Sequence, residues 1–368
     1  MKERKGSKVY FASLKVKDTG FLEKLDNLFE GSGLSMVLGE NKLVGLKLHF
    51  GEKGNTSYIR PLFIKRVVHF IEKGGANPFL FDTTTLYSGS RANAVDHIRT
   101  AIDNGFGIGC PIIIGDGLFG DRKQEVKINL KQFKQASIAQ IVFSVGSIVA
   151  VSHFKCHLLA GFGGAIKNIA MGCASKQGKL MMHSTVSPYV DEEECVACEL
   201  CMLYCPADAI AIDEKAVVDQ KQCIGCGSCI AMCNTGAIKI QWDINLCIFQ
   251  ERLAEYCYAV AQLKKGKLFY INFLLNITPD CDCFGKSDTP IVPDIGVLAS
   301  QDPVGIDQAS CDLINNSIGN EGSRLRKAFG KGTDKFRDLF PKVNWEYGLA
   351  YAEQIGLGSR AYTLEEIT

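Results

Sequence analysis

Eight cysteines at a regular spacing are the residues with the clearest capacity for chemistry. They form two runs of the pattern C-x2-C-x2-C-x3-C, and the second run begins 28 residues after the first. The first run is Cys195, Cys198, Cys201 and Cys205, and the second is Cys223, Cys226, Cys229 and Cys233. Cysteines separated by two intervening residues place successive thiolates around one small metal–sulfur core. The spacing therefore indicates metal–sulfur ligation rather than a disulfide framework.

The same spacing is found in bacterial two-cluster ferredoxins, where the fourth cysteine of each run binds the cluster of the other run. We therefore predict two [4Fe-4S] clusters. The predicted ligands are Cys195, Cys198, Cys201 and Cys233 for the first cluster and Cys223, Cys226, Cys229 and Cys205 for the second. The alternative is two zinc sites from the same thiolates, but zinc sites pair two short knuckles per metal across long loops. Asn234 replaces the proline of the pattern and changes no ligand.

The cysteine runs belong to an internal duplication that we place at residues 189–241. Residues 209–212 (AIAI) align with residues 237–240 (AIKI) at the offset of the cysteines, so we expect a unit with pseudo-twofold symmetry. The unit has nine acidic and three basic residues, a net charge of −6, whereas the whole chain carries +1. Acidic surroundings lower the reduction potential of a cluster. A solvated acidic surface is the simpler explanation of the same charge.

The sequence on either side of this unit predicts alternating strands and helices. Strands are predicted at residues 8–15, 43–50, 78–81, 111–114, 147–154, 268–275 and 295–298, and helices at residues 22–29, 61–73, 92–104, 162–171, 248–263 and 306–314. This alternation predicts an α/β host domain with a mostly parallel sheet and helices on both faces. The host domain is discontinuous (1–188 and 242–368), and residues 189–241 form an inserted two-cluster ferredoxin-like module of α+β type. No elements are predicted from residue 324 onward.

Polar residues follow the predicted strands, at the edge where open parallel sheets bind ligands. Those at the strand ends are His49, Glu52, Asp82, Arg91, Asp116, Asp280, Asp282 and Asp302. The densest group gives the candidate catalytic residues His153, Lys155, His157 and Lys167, with His183 as a possible addition. Hydrogen bonding within a loop is the alternative role of the histidines. The glycines between residues 161 and 164 suit either an anion at the following helix N-terminus or close helix–strand packing.

Cys281 and Cys283 are the second focus in the host domain. Two thiols separated by one residue at a strand end can bind a further metal ion or form a redox pair, and the alternative is two ordinary loop cysteines. Six more cysteines lie outside all of these groups: Cys110, Cys156, Cys173, Cys247, Cys257 and Cys311. We expect at least four of them to be buried as small hydrophobic residues. Cys156 is left open because it lies between His153 and His157.

Four stretches resemble the iron–sulfur members of the domain of unknown function family 362. They are residues 44–61 (VGLKLHFGEKGNTSYIRP), 153–172 (HFKCHLLAGFGGAIKNIAMG), 281–283 (CDC) and 294–307 (DIGVLASQDPVGID). The family pattern His-Phe-Lys-Gly-His occurs at residues 153–157 with Cys156 in place of glycine. The resemblance implies two [4Fe-4S] clusters and an α/β host, and it implies no particular reaction.

Composition limits the class of protein. The chain has 368 residues, of which 46% are hydrophobic and 22% charged, so a disordered chain is excluded. Sixteen cysteines in a chain of this length indicate ligation in a reducing compartment, since disulfide frameworks belong to short secreted domains. The N-terminus lacks the pattern of a signal peptide and no apolar run is long enough to span a bilayer, so we predict a cytoplasmic location.

We predict an iron–sulfur electron-transfer protein, a redox enzyme that passes electrons from two clusters to a site in the host domain. One alternative is an electron carrier whose host domain docks partners. Another is a metal- or cluster-handling protein that uses Cys281 and Cys283. The expected partners are a redox protein and a small-molecule substrate. The chain's charge of +1 and the module's charge of −6 leave the host domain at +7, which is small and spread along the chain and argues against nucleic acid. A glycine-rich nucleotide fingerprint is absent from the sequence, which argues against NAD, and a flavin bound without one stays open.

Overall fold

The computed structural model describes residues 6–16, 20–38, 43–87, 89–107, 109–183, 188–223, 225–240 and 245–367. Over these ranges the strands are β1 (Ser7–Ser13), β2 (Leu43–Lys47), β3 (Asn77–Asp82), β4 (Ile112–Ile114), β5 (Lys123–Lys127), β6 (Gln135–Ala139), β7 (Ser147–His153), β8 (Lys155–His157), β9 (Gly161–Gly163), β10 (Tyr189–Val190), β11 (Ile210–Ile212), β12 (Ala216–Val218), β13 (Ile238–Lys239), β14 (Leu268–Leu274), β15 (Gly296–Ser300) and β16 (Tyr362–Glu366). The helices are α1 (Phe21–Gly31), α2 (Leu34–Leu38), α3 (Pro61–Lys73), α4 (Ala94–Asp103), α5 (Gln140–Ser144), α6 (Ala165–Gly172), α7 (Lys176–His183), α8 (Leu200–Leu203), α9 (Ser228–Met232), α10 (Leu246–Leu263), α11 (Pro303–Asn315), α12 (Lys335–Leu339) and α13 (Trp345–Gln354).

Eight strands form one central sheet in the order β16-β1-β15-β14-β7-β2-β3-β4. Five of its seven neighbouring pairs are parallel, and the two antiparallel pairs both involve β15. The central strands β7 and β14 are buried along their whole length, as expected of parallel strands covered on both faces. The prediction of an α/β fold with a mostly parallel sheet is confirmed.

Helices cover both faces of this sheet. On one face, Leu28 of α1 and Val67 of α3 share a core with Val149 of β7. On the other face, Ile169 of α6 and Leu253 of α10 share a core with strand and loop residues. The buried residues of α3 recur every three or four positions, which is the pattern that made this helix predictable from sequence. No helix within the described ranges is long and apolar enough to cross a membrane.

The cysteine-rich segment, residues 188–240, forms small sheets separate from the central one. Strand β10 pairs with β13 and strand β11 pairs with β12, both antiparallel. Its side chains form a separate apolar cluster that includes Ile210 and Ile238, which occupy equivalent positions of the duplication. Leu86 and Leu180, from outside the segment, pack into the same cluster. The cysteine-rich segment is therefore in direct contact with residues near the end of β3 and in α7.

The structure differs from the sequence-based expectation in several parts of the chain. The hairpin β5–β6 and helix α7 were not predicted, and beyond residue 324 the chain forms α12, α13 and the edge strand β16, which pairs with β1. Strand β15 was predicted but runs against its neighbours, so the placement of Asp302 beside the other strand-end residues is wrong. Asp302 instead caps α11, where its carboxylate accepts from the Val304 and Gly305 N–H groups at 2.8 and 2.9 Å. Local residue pattern does not encode strand direction, and this is why the placement failed.

Candidate functional site

The eight spaced cysteines line two separate cavities. Cavity one is bounded by Cys195, Cys198, Cys201 and Cys233, and cavity two by Cys205, Cys223, Cys226 and Cys229. Each cavity therefore takes three cysteines from one run and the last cysteine from the other run. This is the same division of the cysteines as the one predicted from their spacing. Most other residues around both cavities are apolar, among them Ile212 and Ile238 at cavity one and Ile210 and Val218 at cavity two.

Equivalent backbone conformations hold the two runs around their cavities. Ala197 and Glu199 lie between the first-run cysteines at φ 52° and 63°, and Gly225 and Gly227 lie at the equivalent second-run positions at φ 64° and 74°. This left-handed backbone costs a non-glycine residue free energy. Its recurrence at equivalent positions shows that the two runs share one turn geometry. The short helices α8 and α9 then carry the third cysteine of each run, Cys201 and Cys229 in sequence order, with about 7% of each exposed.

Burial opposes ionisation of two of these thiols. It raises the pKa of Cys201 and of Cys229 above the ordinary value. Cys233 is the exception: burial raises its pKa too, but hydrogen bonds from Thr235 and from backbone N–H groups outweigh that effect and lower it. Thiolate ligands must lose their protons to bind iron, so binding here releases protons and depends on pH. Within the described ranges, no three His, Cys, Asp or Glu side chains lie close enough to hold one metal ion among them.

A second group of functional side chains lies at the carboxyl edge of the central sheet, with Asp282 at its centre. The Asp282 carboxylate is fully buried and lies 2.8 and 2.9 Å from Nδ1 of His153 and 3.1 Å from Nζ of Lys155. Ser57 donates to it at 3.2 Å. Burial raises the pKa of Asp282, but His153 and Lys155 outweigh that effect and hold it well below its usual range. The charges of Asp282 and Cys281 likewise hold the pKa of Lys155 above its ordinary value despite burial.

His153 has no free ring nitrogen. Its Nδ1 faces Asp282, and its Nε2 lies 3.0 and 3.1 Å from the carbonyl oxygens of Leu275 and Asn276. Both nitrogens therefore face oxygen acceptors, and His153 positions Asp282 and the loop after β14 rather than offering a lone pair to a metal. His157 lies apart from this group: its Nδ1 accepts from backbone N–H groups, and its ring stacks on Phe249. Burial and the charge of Lys167 keep its pKa well below the usual value, so it is neutral.

Cys281 and Lys167 lie next to each other in this site. The Lys167 ammonium lies 3.6 Å from Sγ of Cys281, and Cys281 is only 2% exposed. Cys283 is half-buried, and its carbonyl oxygen accepts from the hydroxyl of Tyr87 at 3.2 Å. The structure thus brings together four sequence-predicted residues, namely His153, Lys155, Lys167 and Cys281, with Cys283 beside them.

The structure also contains buried ion pairs at the strand-end acids Asp82 and Glu52, which the sequence did not predict. Lys47 lies 3.0 Å from Asp82, and Arg91 lies 3.1 Å from Glu52, with both cations about 98% or more buried. Burial raises the pKa of Asp82, but Lys47 and the buried His97 and His49 nearby outweigh it, so the net shift is downward. The strand-end acids were identified from sequence. Their cationic partner Lys47 was not, because it stands inside an apolar strand with no signal beyond its charge.

The glycine-rich entry to α6 already has an internal anion. The carboxylate of Asp307 accepts from the N–H groups of Ala165 and Ile166 at 2.7 and 3.0 Å. A Cβ on Gly164 would lie 2.3 Å from Asp307 and 2.8 Å from Phe154, so this glycine serves close packing. Of the two alternatives for these glycines, close helix–strand packing is the one observed, and Asp307 satisfies the N–H groups from within the fold.

One loop links the cysteine-rich segment to the sheet-edge site. Leu86 packs into the apolar cluster of the cysteine-rich segment, and a Cβ on Gly227 would lie 3.2 Å from Leu86 and from Lys176. The next residue, Tyr87, donates to Cys283. Two consecutive residues thus contact the loop of cavity two on one side and the Cys281–Cys283 turn on the other.

Comparison with known proteins places the chain in a family. A family model described as "Domain of unknown function (DUF362)" matches residues 44–312. The chain belongs to the DUF362 family. The matched range contains both cysteine-lined cavities and the whole sheet-edge group around Asp282, so the DUF362 region and the candidate sites coincide. No curated protein matches the chain.

Two solved structures resemble this DUF362 protein. One is the lactate racemase apoprotein from Thermoanaerobacterium thermosaccharolyticum, at 14% identity and a TM-score of 0.39, covering 73% of this chain and 51% of that one. The other is a Thermotoga maritima protein, at 10% identity and a TM-score of 0.38, covering 69% of this chain and 50% of that one. The chain thus spans about half the length of each of these two structures, and likeness at this level carries no argument about activity.

Proposed function

We propose that this DUF362 protein is an iron–sulfur electron-transfer protein with two [4Fe-4S] clusters. Residues 189–241 are its inserted, ferredoxin-like module, and residues 1–188 and 242–368 are its α/β host domain. The host domain contributes the sheet-edge site around Asp282 and Cys281, where electrons reach a substrate.

The observation that carries the proposal is the division of eight cysteines between two cavities. Spacing alone predicts that the last cysteine of each run changes partners, and the cavities follow this crossed pattern: Cys233 lies with the first run and Cys205 with the second. A cubane uses four cysteines, each on a different iron, so its ligands surround a cavity rather than converge on one point. The donor set therefore fits two [4Fe-4S] clusters, which when bound accept and donate single electrons.

The host residues support a redox role through their charge. Lys167 and Lys155 place two ammonium groups beside the sulfur of Cys281, and Asp282 balances Lys155. This environment stabilises added negative charge at sulfur. The contact of Leu86 with the cysteine-rich segment and of Tyr87 with Cys283 keeps the two sites adjacent in the fold.

Metal and sulfide analysis of anaerobically purified protein tests the proposal. We expect about eight iron and eight sulfide per chain, and about half of each after Cys198→Ser or Cys226→Ser, since each substitution removes a ligand of one cluster. Cys247→Ser is the matched control because Cys247 is exposed on α10 and lines neither cavity. Two zinc and no iron per chain would overturn the assignment.

An electron carrier is the second candidate, because the sheet-edge side chains are closely packed. Asp282, His153, Lys155 and Cys281 are each at least about 90% buried and contact one another instead of lining an open cavity. If the host domain only docks partners, a double variant, Cys281→Ser/Cys283→Ser, keeps full electron exchange with every acceptor that the unmodified protein reduces. A redox enzyme loses its small-molecule acceptor in the same variant and keeps exchange with its protein donor.

A further inference from the structure

We propose that Cys281 and Cys283 form a dithiol–disulfide couple that reduces a small disulfide, with Cys281 as the nucleophile and Lys167 as its counter-ion. The inference goes beyond electron transfer because it assigns sulfur chemistry to the host domain. The couple does not require the clusters. The iron analysis tests the clusters and the measurements below test the cysteine pair, so either proposal can be refuted without the other.

The turn that holds the two cysteines suits a reversible bond between them. The Phe284 N–H donates to the Cys281 carbonyl at 3.0 Å, which closes a turn with the two cysteines at its first and third positions. Positions this close along a turn bring two Cα atoms within the range that disulfides span. Both are free thiols in this structure. Cys281 is 2% exposed and Cys283 is half-buried, so only a small reactant has access to the pair.

The charges around Cys281 favour a thiolate and disfavour a metal ion. Lys167 of α6 and Lys155 of β8 face it from the host elements, with Asp282 and Cys283 on its own turn. A hydrogen bond from the Cys283 thiol, together with the two ammonium groups, outweighs burial and keeps the pKa of Cys281 well below its ordinary value. The same hydrogen bond raises the pKa of Cys283. Two fixed ammonium groups repel a cation at this position, whereas they stabilise a nucleophilic thiolate.

The reaction balances without a further reactant. The Cys281 thiolate attacks one sulfur of the substrate disulfide, forming a mixed disulfide and releasing one thiolate. Cys283 gives its proton to that leaving thiolate and then attacks Cys281, releasing the second thiolate and closing the Cys281–Cys283 disulfide. The substrate disulfide gains two electrons, and the cysteine pair loses two.

A single tryptic peptide reports on this pair. Cleavage after Lys267 and Lys286 gives residues 268–286, which contain Cys281 and Cys283 and no other cysteine. Anaerobically purified full-length protein is reduced, treated with 4,4′-dithiodipyridine as a small disulfide, alkylated with iodoacetamide and digested. We expect the peptide without alkyl groups and lighter by two hydrogen atoms than its reduced form. A peptide with two alkyl groups, or with a pyridylthio group on each cysteine, would overturn the proposal.

Variants separate the two roles. Cys283→Ser removes the resolving thiol, so we expect the pyridylthio adduct to stay on Cys281. In that background, Lys167→Met should raise the midpoint pH of Cys281 alkylation by about one unit or more, the usual effect of a neighbouring charge, and Lys167→Arg should restore it. An unchanged midpoint in Lys167→Met refutes the counter-ion role. The far-ultraviolet circular dichroism spectrum of each variant shows that the fold is retained.

Discussion

Replacing Asp282 with asparagine tests the electrostatic account of the sheet-edge site. The variant keeps the size of the side chain and one oxygen acceptor but removes the charge that faces His153 and Lys155. Removing one partner from a buried ion pair costs about 3–5 kcal/mol. The loss has a ceiling, because Lys155 can give up its proton. At pH 7 that step costs an ordinary lysine about 4.6 kcal/mol, since its pKa is about 10.4 and each unit is worth about 1.36 kcal/mol.

Urea unfolding followed by tryptophan fluorescence measures this cost, because Trp345 is 5% exposed in the host core. Asp288→Asn is the matched control: Asp288 forms an exposed ion pair with Arg324 at 3.5 Å, and its loss should cost no more than about 1 kcal/mol. A difference below about 1 kcal/mol between Asp282→Asn and the unmodified protein at pH 7 would show that the Asp282 charge contributes no more than an exposed ion pair.

The pH dependence supplies a second check on Asp282. Its pKa is lowered in the folded state, so its stabilising contribution is complete above the unfolded-state pKa of about 3.9 and is lost as pH falls below it. The difference in unfolding free energy between the unmodified protein and Asp282→Asn should therefore shrink below about pH 4. A difference that stays constant into acid contradicts the assignment of the cost to charge.

Two further predictions concern acid stability and the contact between the sites. Burial lowers the pKa of His97 to about 3, so the unfolded chain binds a proton below about pH 6.5 that the folded chain does not, and stability falls as pH drops. His97→Gln should reduce that loss by about 1.1 kcal/mol per pH unit on average between pH 5 and 6.5, measured by urea unfolding, because the unfolded imidazole is only half protonated at pH 6.5. Gly227→Ala should destabilise the protein more than Gly225→Ala, measured by the temperature at which iron is released. Both glycines have positive φ, but only the new methyl group at residue 227 would lie 3.2 Å from Leu86 and Lys176.

Each of these predictions has a contradicting result. An unchanged pH slope in His97→Gln would mean that this imidazole titrates normally in the folded protein. Equal iron-release temperatures in the two glycine variants would mean that the contact with Leu86 does not hold the cysteine-rich segment. Ala197 already occupies the position equivalent to residue 225 at φ 52°, so the control substitution is compatible with this backbone.

Much of the host fold was predictable from the sequence because its signals are local. Residues 61–73 show the helical period and end before two glycines, and the observed α3 has those bounds. The tail beyond residue 324 gave no such signal, since α12 has five residues and β16 is a largely exposed strand that pairs with β1 at the edge of the sheet. Strand direction could not be predicted either. The sequence identified β15 as a strand, but its antiparallel course depends on tertiary pairing. This course places Asp302 away from the site.

In the candidate sites, too, local features were predictable and long-range contacts were not. The crossed division of the cysteines was predictable because the ligands of each run lie within a few residues of one another in the sequence. The partners of the strand-end acids did not: Lys47 for Asp82 and Lys155 for Asp282 are set by how distant segments pack. The positioning role of His153 could not be predicted from the sequence either, because only the structure shows that both of its ring nitrogens face oxygen acceptors.

The iron and acid-labile sulfide content of anaerobically purified protein decides whether the eight cysteines hold two [4Fe-4S] clusters. We expect about eight of each per chain, falling to about four when Cys233→Ser removes a ligand that the crossed division assigns to the cluster of the first run. Iron absent from the purified protein, or about two zinc per chain bound by the same thiolates, would contradict this expectation.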